Sequence, residues 1–546
     1  MSGGSGSPPG DTRQALVRHA AVMTIGTTLS RLTGFLRLTA MTATLGVTVS
    51  ALGSIYTVAN LTPNIIYELV LGGILTSVFV PVFVERLETR GSADAFDVAD
   101  RVLTLVLVVL VGVAALGALF AEPIIRLYLV ASDEPDVEAQ VELGVFLLRW
   151  FLPQIVFYGV GAVATGLLQA HRRFAAPAFA PILNNVVVIA TFVAYALVRG
   201  DRPPSVEGIT TAERTILAVG TTLGVVAMTV ALWPSLRGIG HRLQLRAGWR
   251  HEAVRRLVRL AAWVALYVAA NQLAYVLVIV LNNRFDAGPQ IYTTAFTVFQ
   301  LPHAIFAVSI FTALLPGMSE RWATGHPDGV RTLVSRGLRD TAVVTLPAAV
   351  GLIVLAHPIA ELLFEHGAAV DADAAAIAET LQAFAVGLVF FSAFQLLTRS
   401  FYAMQDSRTP ALVNVGAACV NIAAALLYTR TFGLDLPGMA LAHATSYVVG
   451  AAALLLVVRR RLGSVDGRRV AVTAAKAAVA ATASGAVAYA VVAAWNSAGD
   501  AGTLTQAVRM LVAVSAGVLV FVVTTLILRV GEVDDLRKTL LRRFQG

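Results

Sequence analysis

The amino-acid sequence predicts an all-α integral membrane protein with about 14 transmembrane helices: two parallel six-helix lobes plus an appended C-terminal helix pair. Three observations predict this fold: the composition, the recurrence of long apolar runs, and two motifs that return at nearly the same distance along the chain. Of the 546 residues, 57% are hydrophobic and 14% are charged, and the mean hydropathy is +0.75. Soluble domains carry about 25% charged residues, so this composition indicates a protein embedded in a bilayer.

Apolar runs long enough to cross a bilayer, which takes roughly 20 helical residues, follow one another along almost the whole chain. The gaps between them leave little room for a separate soluble domain. The predicted spans cover residues 16–45, 51–84, 102–121, 141–170, 177–198, 213–235, 255–283, 290–319, 338–358, 374–403, 410–429, 437–458, 470–494 and 505–529.

Basic residues cluster in alternate loops and so predict the orientation. With the N-terminus inside, roughly 30 of the 41 Lys and Arg residues lie on the cytoplasmic side, as the positive-inside rule expects. The outer loops are acidic, with Asp133, Glu134 and Asp136 in one and Asp371 and Asp373 in another. We interpret these carboxylates as solvated loop charge. The sequence therefore predicts a multi-pass protein of the cytoplasmic (plasma) membrane with both termini cytoplasmic, and the net charge of +8 does not indicate nucleic-acid binding.

Several classes of chemistry are disfavoured by the motifs. Cys419 is the only cysteine, which excludes an internal disulfide and a multi-cysteine metal site. The chain has no HExxH pair, no Walker lysine and no GxSxG elbow. We therefore predict no cofactor and no enzymatic activity.

Two motifs repeat along the chain. The stretch SVFVPVFVER (77–86) returns as TALLPGMSER (312–321), at an offset of 235, and QAHRRFAAP (169–177) returns as YAMQDSRTP (402–410), at an offset of 233. The repeat unit is six spans, and an even number of spans keeps both copies in the same orientation. The predicted domains are a disordered cytoplasmic tail at 1–15, an N-terminal lobe at 16–236, a C-terminal lobe at 237–460, and two extra helices with a short tail at 461–546.

The first span carries two arginines, Arg31 and Arg37. An arginine near the middle of a span costs about 2.5–3.5 kcal/mol on insertion scales. Guanidinium groups suit bidentate recognition of phosphate or carboxylate, so we predict that both arginines border a cavity that binds an anion. The alternative is a structural ion pair with Glu68 of the second span, or snorkelling to an interface. One glutamate cannot neutralise two arginines.

Other polar and hinge residues complete the predicted site. Ser30, Asn64 and Glu68 are included with the two arginines as substrate-binding residues, and Gly34, Pro81 and Pro316 are the predicted hinges. Asn residues within spans more often form hydrogen bonds between helices than bind a cation. His303 and His443 are interpreted as packing residues.

Several stretches resemble the MurJ (MviN) family of lipid II flippases, actinobacterial type, within the multidrug/oligosaccharidyl-lipid/polysaccharide exporter superfamily. The resemblance covers nearly the whole chain, and its most specific segments are SRLTGFLR (30–37), LTPNIIYELVLGGILTSVFVPVF (61–83), QLPHAIFAVSIFTALLPGMS (300–319), LLFEHGA (362–368) and FYAMQDSRTP (401–410). It implies 14 helices, two lobes and a central cationic cavity with alternating access. The cargo it implies is the undecaprenyl-diphosphate-linked disaccharide-peptide, lipid II, which moves from the inner to the outer leaflet for peptidoglycan biosynthesis.

In this resemblance Arg31 and Arg37 fall on the first-helix arginines of the family. Other charged positions of the family are replaced here by uncharged residues, namely Leu38, Ser54, Tyr67 and Thr297. Some members bind sodium on the seventh and eleventh helices, where this chain offers Asn283 and Asn421 as weak candidates and no clear carboxylate.

The resemblance also implies partners. Membrane lipids and cell-wall synthesis or division proteins are expected besides the lipid-linked cargo. Two rival functions stay open: export of another anionic lipid-linked saccharide on the same scaffold, and a membrane-embedded enzyme acting on polyprenyl-phosphate lipids. The enzyme would need the acidic outer loops as its metal site.

Overall fold

The computed structural model describes residues 9–47, 51–68, 79–132, 137–248, 250–368, 371–496 and 502–533. Over these ranges the chain is built from α-helices, which confirms the predicted all-α class. Contacts divide the chain into two compact units, Met1–Val276 and Leu277–Gly546.

The helices of the first unit, the last of which runs on into the second, are α1 (Pro9–Leu45), α2 (Leu52–Tyr67), α3 (Val80–Arg90), α4 (Ser92–Leu119), α5 (Ala121–Leu129), α6 (Val137–Phe151), α7 (Gln154–Ala170), α8 (Ala175–Arg199), α9 (Thr211–Val230), α10 (Trp233–Arg237) and α11 (Glu252–Asn282). Those of the second unit are α12 (Gly288–Pro302), α13 (Val308–Ala323), α14 (Pro327–Val354), α15 (Ala356–Phe364), α16 (Asp371–Val386), α17 (Leu388–Ala403), α18 (Arg408–Arg430), α19 (Leu436–Leu462), α20 (Gly467–Asn496) and α21 (Thr503–Ile527). A π-helical turn, His303–Ala307, joins α12 to α13.

Within the described ranges, ten helices are long and apolar enough to cross a membrane, and eleven if the bent pair α16 and α17 counts as one span. The number 14 stays a prediction, because the predicted span 51–84 includes residues 69–78, which lie outside the described residues. Helix α1 begins at Pro9, inside the tail predicted to be disordered. Proline suits the first turn of a helix. Residues 1–8 of that tail lie outside the described residues.

The repeated QAHRRFAAP and YAMQDSRTP motifs form the same turn in each unit. Arg172 and Gln405, which are equivalent at the offset of 233, both adopt a left-handed backbone with φ of 58°. In each copy the next N–H donates to the carbonyl five residues back, at 2.8 Å in the first copy and 2.9 Å in the second. This pairing is the Schellman termination of a helix. The sequence repeat is therefore also a repeat of backbone geometry.

The second repeated motif is equivalent in its contacts. The Arg86 guanidinium lies 3.6 Å from the carboxylate of Asp94, at the start of α4. Arg321 donates to the carbonyl of Gly329, at the start of α14, over 3.3 Å. In both copies the arginine thus reaches the residue eight positions later, on the next helix.

The segment after α10 packs on the first unit, although the C-terminal lobe was predicted to start at residue 237. Asp100 of α4 is buried and accepts hydrogen bonds from the His241 ring and the Gln244 N–H, each at 3.0 Å. Arg246 adds an ion pair with Asp97 at 2.8 Å. These contacts attach the loop to α4, within the first compact unit, which runs to residue 276.

The predicted appended helices, α20 and α21, pack together and against α14 and α15 of the second unit. Two ion pairs lie near opposite ends of α21. Arg339 and Glu532 approach to 2.5 Å at one end, and Arg509 and Glu361 to 3.5 Å at the other. The helices α20 and α21 are thus held to the second unit by an ion pair near each end of α21 and by apolar packing between those ion pairs.

One interpretation of the acidic outer loops was wrong. Asp373 is fully buried, because α16 begins at Asp371 and places the Asp373 carboxylate in its first turn. The free N–H groups and the positive end of the helix dipole stabilise a carboxylate there. The acidic residues of the other loop, Asp133, Glu134 and Asp136, lie outside the described residues.

Candidate functional site

Both predicted arginines lie on α1, and they point to different faces of it. Arg37 is two turns beyond Ser30 and therefore on the same face, whereas Arg31 is turned about 100° away from Ser30. Arg37 is half-buried and Arg31 is exposed. Within the described ranges, neither arginine forms an ion pair with a carboxylate. Two uncompensated cations thus stand on one helix of the first unit.

Helix α1 is held against α8 by an amide in the middle of the contact. The Asn185 side chain is buried, and its Nδ2 donates to the Ser30 carbonyl at 3.1 Å and to the Thr33 hydroxyl at 3.0 Å. A Cβ added at Gly34 would lie 3.5 Å from the same Nδ2. Hydrogen bonds between helices in a membrane stabilise their packing, so Asn185 fixes the rotation of α1 beside both arginines.

Two further contacts hold α1 on α8 above and below the amide. A Cβ on Gly26 would come within 2.7 Å of the Cβ of Ala178, so the two backbones approach closely there. Small residues permit this kind of approach between membrane helices. At the other end, Arg199 donates to the Thr44 carbonyl at 2.5 Å. Helix α1 is therefore positioned along most of its membrane length.

Tyr56 of α2 lies within electrostatic range of Arg37. Tyr56 is buried, and its hydroxyl shares a 2.8 Å hydrogen bond with Thr221 of α9. Its ring packs edge-on against Phe151 and Phe192. Tyr56 is thus held in place by residues of three other helices, α6, α8 and α9.

The other predicted site residues lie on α2 or at its end. Asn64 uses its amide within its own helix and donates to the Asn60 carbonyl at 3.1 Å. Glu68 follows the last residue of α2, is exposed, and pairs with no arginine among the described residues. The structural alternative, an ion pair between Glu68 and an arginine of the first span, is therefore not found in this structure.

The hinge candidates occupy distinct backbone environments. Gly34 lies in the close α1–α8 contact, and Pro316 lies inside α13, about two and a half turns after the π-helical segment. Pro81 is the second residue of α3, where the missing N–H costs nothing. A π-helical turn often marks a functional site in a helix, and the three hinges stay predictions.

The weak cation candidates and the two histidines have separate roles in packing. Asn283 is buried just beyond the end of α11, and Asn421 is half-buried on α18. His303 shares a 2.9 Å hydrogen bond with Ser392, and His443 packs edge-on against Phe384. Within the described ranges, no three His, Cys, Asp or Glu side chains converge to form a metal site.

Sequence reasoning missed the partners that orient the arginines. Asn185 carried a signal, as an amide within a span, and that signal correctly favoured a bond between helices. Its partners are 152 and 155 residues away, a separation that no local pattern reports. Tyr56 carried no signal, because a tyrosine near the start of a span is commonly an interfacial residue.

The sequence profile described as "Lipid II flippase MurJ" matches residues 41–527 of the chain, which is well over half of its length. The chain belongs to the lipid II flippase MurJ family. The resemblance predicted from the sequence is thereby confirmed. Proteins of this family are named as flippases, which are transporters rather than enzymes.

Relatives of the MurJ family match over most of their length. The probable lipid II flippase MurJ of Rhizobium tropici is 28% identical over 437 residues, which cover 80% of each chain. The lipid II flippase MurJ of Burkholderia cenocepacia is 27% identical over 408 residues, or 73% of this chain and 76% of that one. The probable lipid II flippase MurJ of Rhizobium meliloti is 26% identical over 412 residues, or 76% and 75%.

Solved structures agree on the fold. A lipid II flippase MurJ in an inward closed conformation aligns with a TM-score of 0.74 at 20% identity, over 93% of this chain and 98% of that one. An inward-facing multidrug resistance transporter of the MATE family aligns with a TM-score of 0.65 at 15% identity, over 83% and 99%. At these low sequence identities, the two structures support the fold only. The MurJ fold is thus shared with a transporter of another kind.

Proposed function

We propose that this chain moves lipid II from the inner to the outer leaflet of the cytoplasmic membrane by alternating access between its two lobes. Membership of the MurJ family supports the cargo. The observation that carries the site is the pair of uncompensated arginines on α1, with α1 itself held by Asn185 of α8.

The chemistry of the cargo explains why such arginines are needed. An anionic diphosphate must cross about 30 Å of hydrocarbon, where an unpaired charge is prohibitively costly. A guanidinium can offer two parallel hydrogen bonds to phosphate and stays charged at any relevant pH. Arg31 and Arg37 are separated by about 9 Å along the helix axis, and their long side chains can converge on one diphosphate. The polyprenyl tail stays in the lipid.

The moving bodies and the orientation belong to the same proposal. The lobes are residues 16–236 and 237–460, each with a copy of the repeated turn, and both termini are cytoplasmic. The excess of Lys and Arg in the loops assigned to the cytoplasm supports this orientation. Cell-wall synthesis or division proteins remain proposed partners. Glu68, Ser30 and Asn64 are proposed to border the path beside the arginines.

The test uses cells depleted of this protein and an externally added, membrane-impermeant enzyme that cleaves lipid-linked peptidoglycan precursor. We expect the cleavable fraction to fall on depletion and to recover with the wild-type chain. It should not recover with Arg31→Ala or Arg37→Ala. Arg126→Gln is the matched control, because Arg126 is an exposed cation paired with Glu122 and Glu138, and surface pairs contribute little.

The opposite result would overturn the proposal. If depletion leaves the cleavable fraction unchanged in cells that have no second flippase, the cargo is not lipid II. Recovery of another lipid-linked saccharide on the outer leaflet would then identify the rival export function on this scaffold.

A further inference from the structure

A cavity of about 490 Å³ opens beside the appended helices, between the middle of α14, the start of α20 and the residues that follow α21. The helices α14 and α20 pack against each other there. One helical turn deeper, Val343, Ala477 and Val530 form a small buried apolar core. The cavity is lined by Arg339, Arg468, Arg469, Val472, Thr473, Gly531 and Glu532. The lining of the cavity is thus strongly basic, and the apolar core lies beneath it.

The charges in the cavity do not balance. Glu532 is engaged on both oxygens, by Arg339 at 2.5 Å and by the Thr473 hydroxyl at 3.4 Å. Arg468 and Arg469 are exposed, and neither has an ion-pair partner within the described ranges. The residues after the described range, 534–546, contain four basic and two acidic residues, so they add no net negative charge. Among the described residues, two guanidinium groups are therefore left for an external anion.

The position of these arginines is electrostatically unfavourable for the protein alone. Arg468 and Arg469 are the second and third residues of α20, where the helix dipole is positive and acidic residues are preferred. The first N–H groups of a helix also lack partners within the helix. An anion at this point would be stabilised by the N–H groups, the dipole and both guanidinium groups together.

The surface beside the cavity favours a lipid over a soluble anion. From Arg468 an exposed face continues along α20 through Val472 and Val479, which are 46% and 58% exposed. These residues are spaced by seven positions and lie on one side of the helix. A phosphate held at Arg468 and Arg469 would leave attached acyl chains along this apolar face.

We propose that the cavity binds the phosphate headgroup of an anionic membrane glycerophospholipid, with its acyl chains against α20. Basic pockets between transmembrane helices on the cytoplasmic side are suited to such headgroups. The site is separate from the arginines of α1 and lies in the other compact unit. The inference does not depend on which cargo the chain moves. The bound lipid would hold the helices α20 and α21 in the membrane leaflet next to the basic residues of the cavity.

The test measures lipid binding to the purified, delipidated full-length chain by native mass spectrometry. Phosphatidylglycerol and phosphatidylcholine with identical acyl chains are titrated separately. We expect one phosphatidylglycerol to bind with preference to wild type, and its affinity to fall roughly tenfold or more in the double variant Arg468→Gln/Arg469→Gln. The matched control is Arg172→Gln/Arg173→Gln, which removes two adjacent exposed arginines from a turn that does not line this cavity. It should bind as wild type does.

A gain of binding guards against a variant that merely misfolds. Glu532→Gln removes the one acid in the cavity, so we expect phosphatidylglycerol to bind severalfold more tightly. Equal losses in the two double variants would mean a general surface charge and would overturn the proposal. Competition by millimolar glycerol phosphate as effective as by the lipid would overturn the lipid assignment in favour of a soluble anion.

Discussion

At the scale of single residues, an amide rather than a charge positions the cationic helix. Asn185 makes two hydrogen bonds to α1, one on each side of Arg31 in sequence. Its neighbour Asn184 offers a natural comparison, because its Oδ1 has no hydrogen-bond partner among the described residues. A comparison of substitutions at Asn185 and Asn184 therefore distinguishes the positioning of α1 from the effect of a polar side chain alone.

We expect Asn185→Ala to lower the stability of the chain by about 1 kcal/mol, since a hydrogen bond between membrane helices contributes roughly 0.6 kcal/mol on average. It should also slow transport, because α1 loses its rotational constraint. Asn184→Ala should change both much less. The measurements are the thermal unfolding midpoint in detergent and the transport rate in liposomes. Equal effects of the two substitutions would contradict the positioning role.

The arginines and their partners differ in how far sequence could predict them. Arg31 and Arg37 were predictable because a cation inside an apolar run is costly and conspicuous. The side that each faces was not predictable, since the rotation of α1 is set by residues of α8 more than 150 positions away. The buried state of Asp373 was missed because the start of α16 is not marked by an apolar run.

At the scale of elements, the repeated Schellman turns are the firmest local evidence for duplication. Neither copy has glycine at the left-handed position, although glycine adopts that conformation without steric cost. Arg172 and Gln405 therefore carry backbone strain in equivalent places.

We expect Arg172→Gly and Gln405→Gly each to raise stability, by about 1 kcal/mol, because a left-handed residue other than glycine costs roughly that amount. Arg173→Gly is the control, since Arg173 is not among the residues with positive φ. It should leave stability unchanged or lower it. The thermal unfolding midpoint reports each effect, and a gain at position 173 equal to that at 172 would contradict the account.

The packing of the appended pair depends on a close approach at Gly485. A Cβ there would lie 2.5 Å from Val350 Cγ1 on α14. We expect Gly485→Val to lower stability by about 1–3 kcal/mol through overpacking, and Val350→Ala to restore part of the loss. Gly112→Val, where a Cβ would meet nothing within 4 Å, should be neutral. Additive losses in the double variant would show that the two sites do not couple.

Apolar runs located most helices but not their bends. The predicted span 374–403 is two helices, α16 and α17, with a bend of 50° at Gly387. A Cβ on Gly387 would come within 2.7 Å of the Cβ of Ala444 on α19. Glycine therefore allows α19 to approach closely at the bend. Hydropathy records length and composition only, so it cannot report such a contact.

At the scale of the whole molecule, each unit holds a copy of the same turn, and in each unit an arginine contacts the residue eight positions later on the next helix. The predicted boundary at residue 237 followed the spans. The first compact unit runs to residue 276 and includes the loop that a buried carboxylate, Asp100, attaches to α4. The hydrogen-bond partners of Asp100 are 141 and 144 positions away in the sequence, so hydropathy could not predict this attachment.

Membrane potential should act on the transported head. Moving one net negative charge outward across a membrane with an inside-negative potential of 100 mV is favoured by about 2.3 kcal/mol, which is roughly fiftyfold in an equilibrium ratio. In liposomes with an imposed potential, we expect outward movement of a labelled precursor to be favoured and to reverse with the polarity. A distribution independent of the potential would mean that the charge of the head is neutralised during the crossing.

The central claim is that the two arginines of α1 bind the diphosphate, and the most direct test is the transport rate of purified chain in liposomes with a headgroup-labelled precursor. Charge-assisted hydrogen bonds contribute about 1.5–3 kcal/mol, so Arg31→Ala and Arg37→Ala should each reduce the rate by roughly tenfold to a hundredfold. Arg126→Gln should transport as wild type does. All variants should insert and unfold as wild type does. Full transport by both alanine variants would contradict the claim.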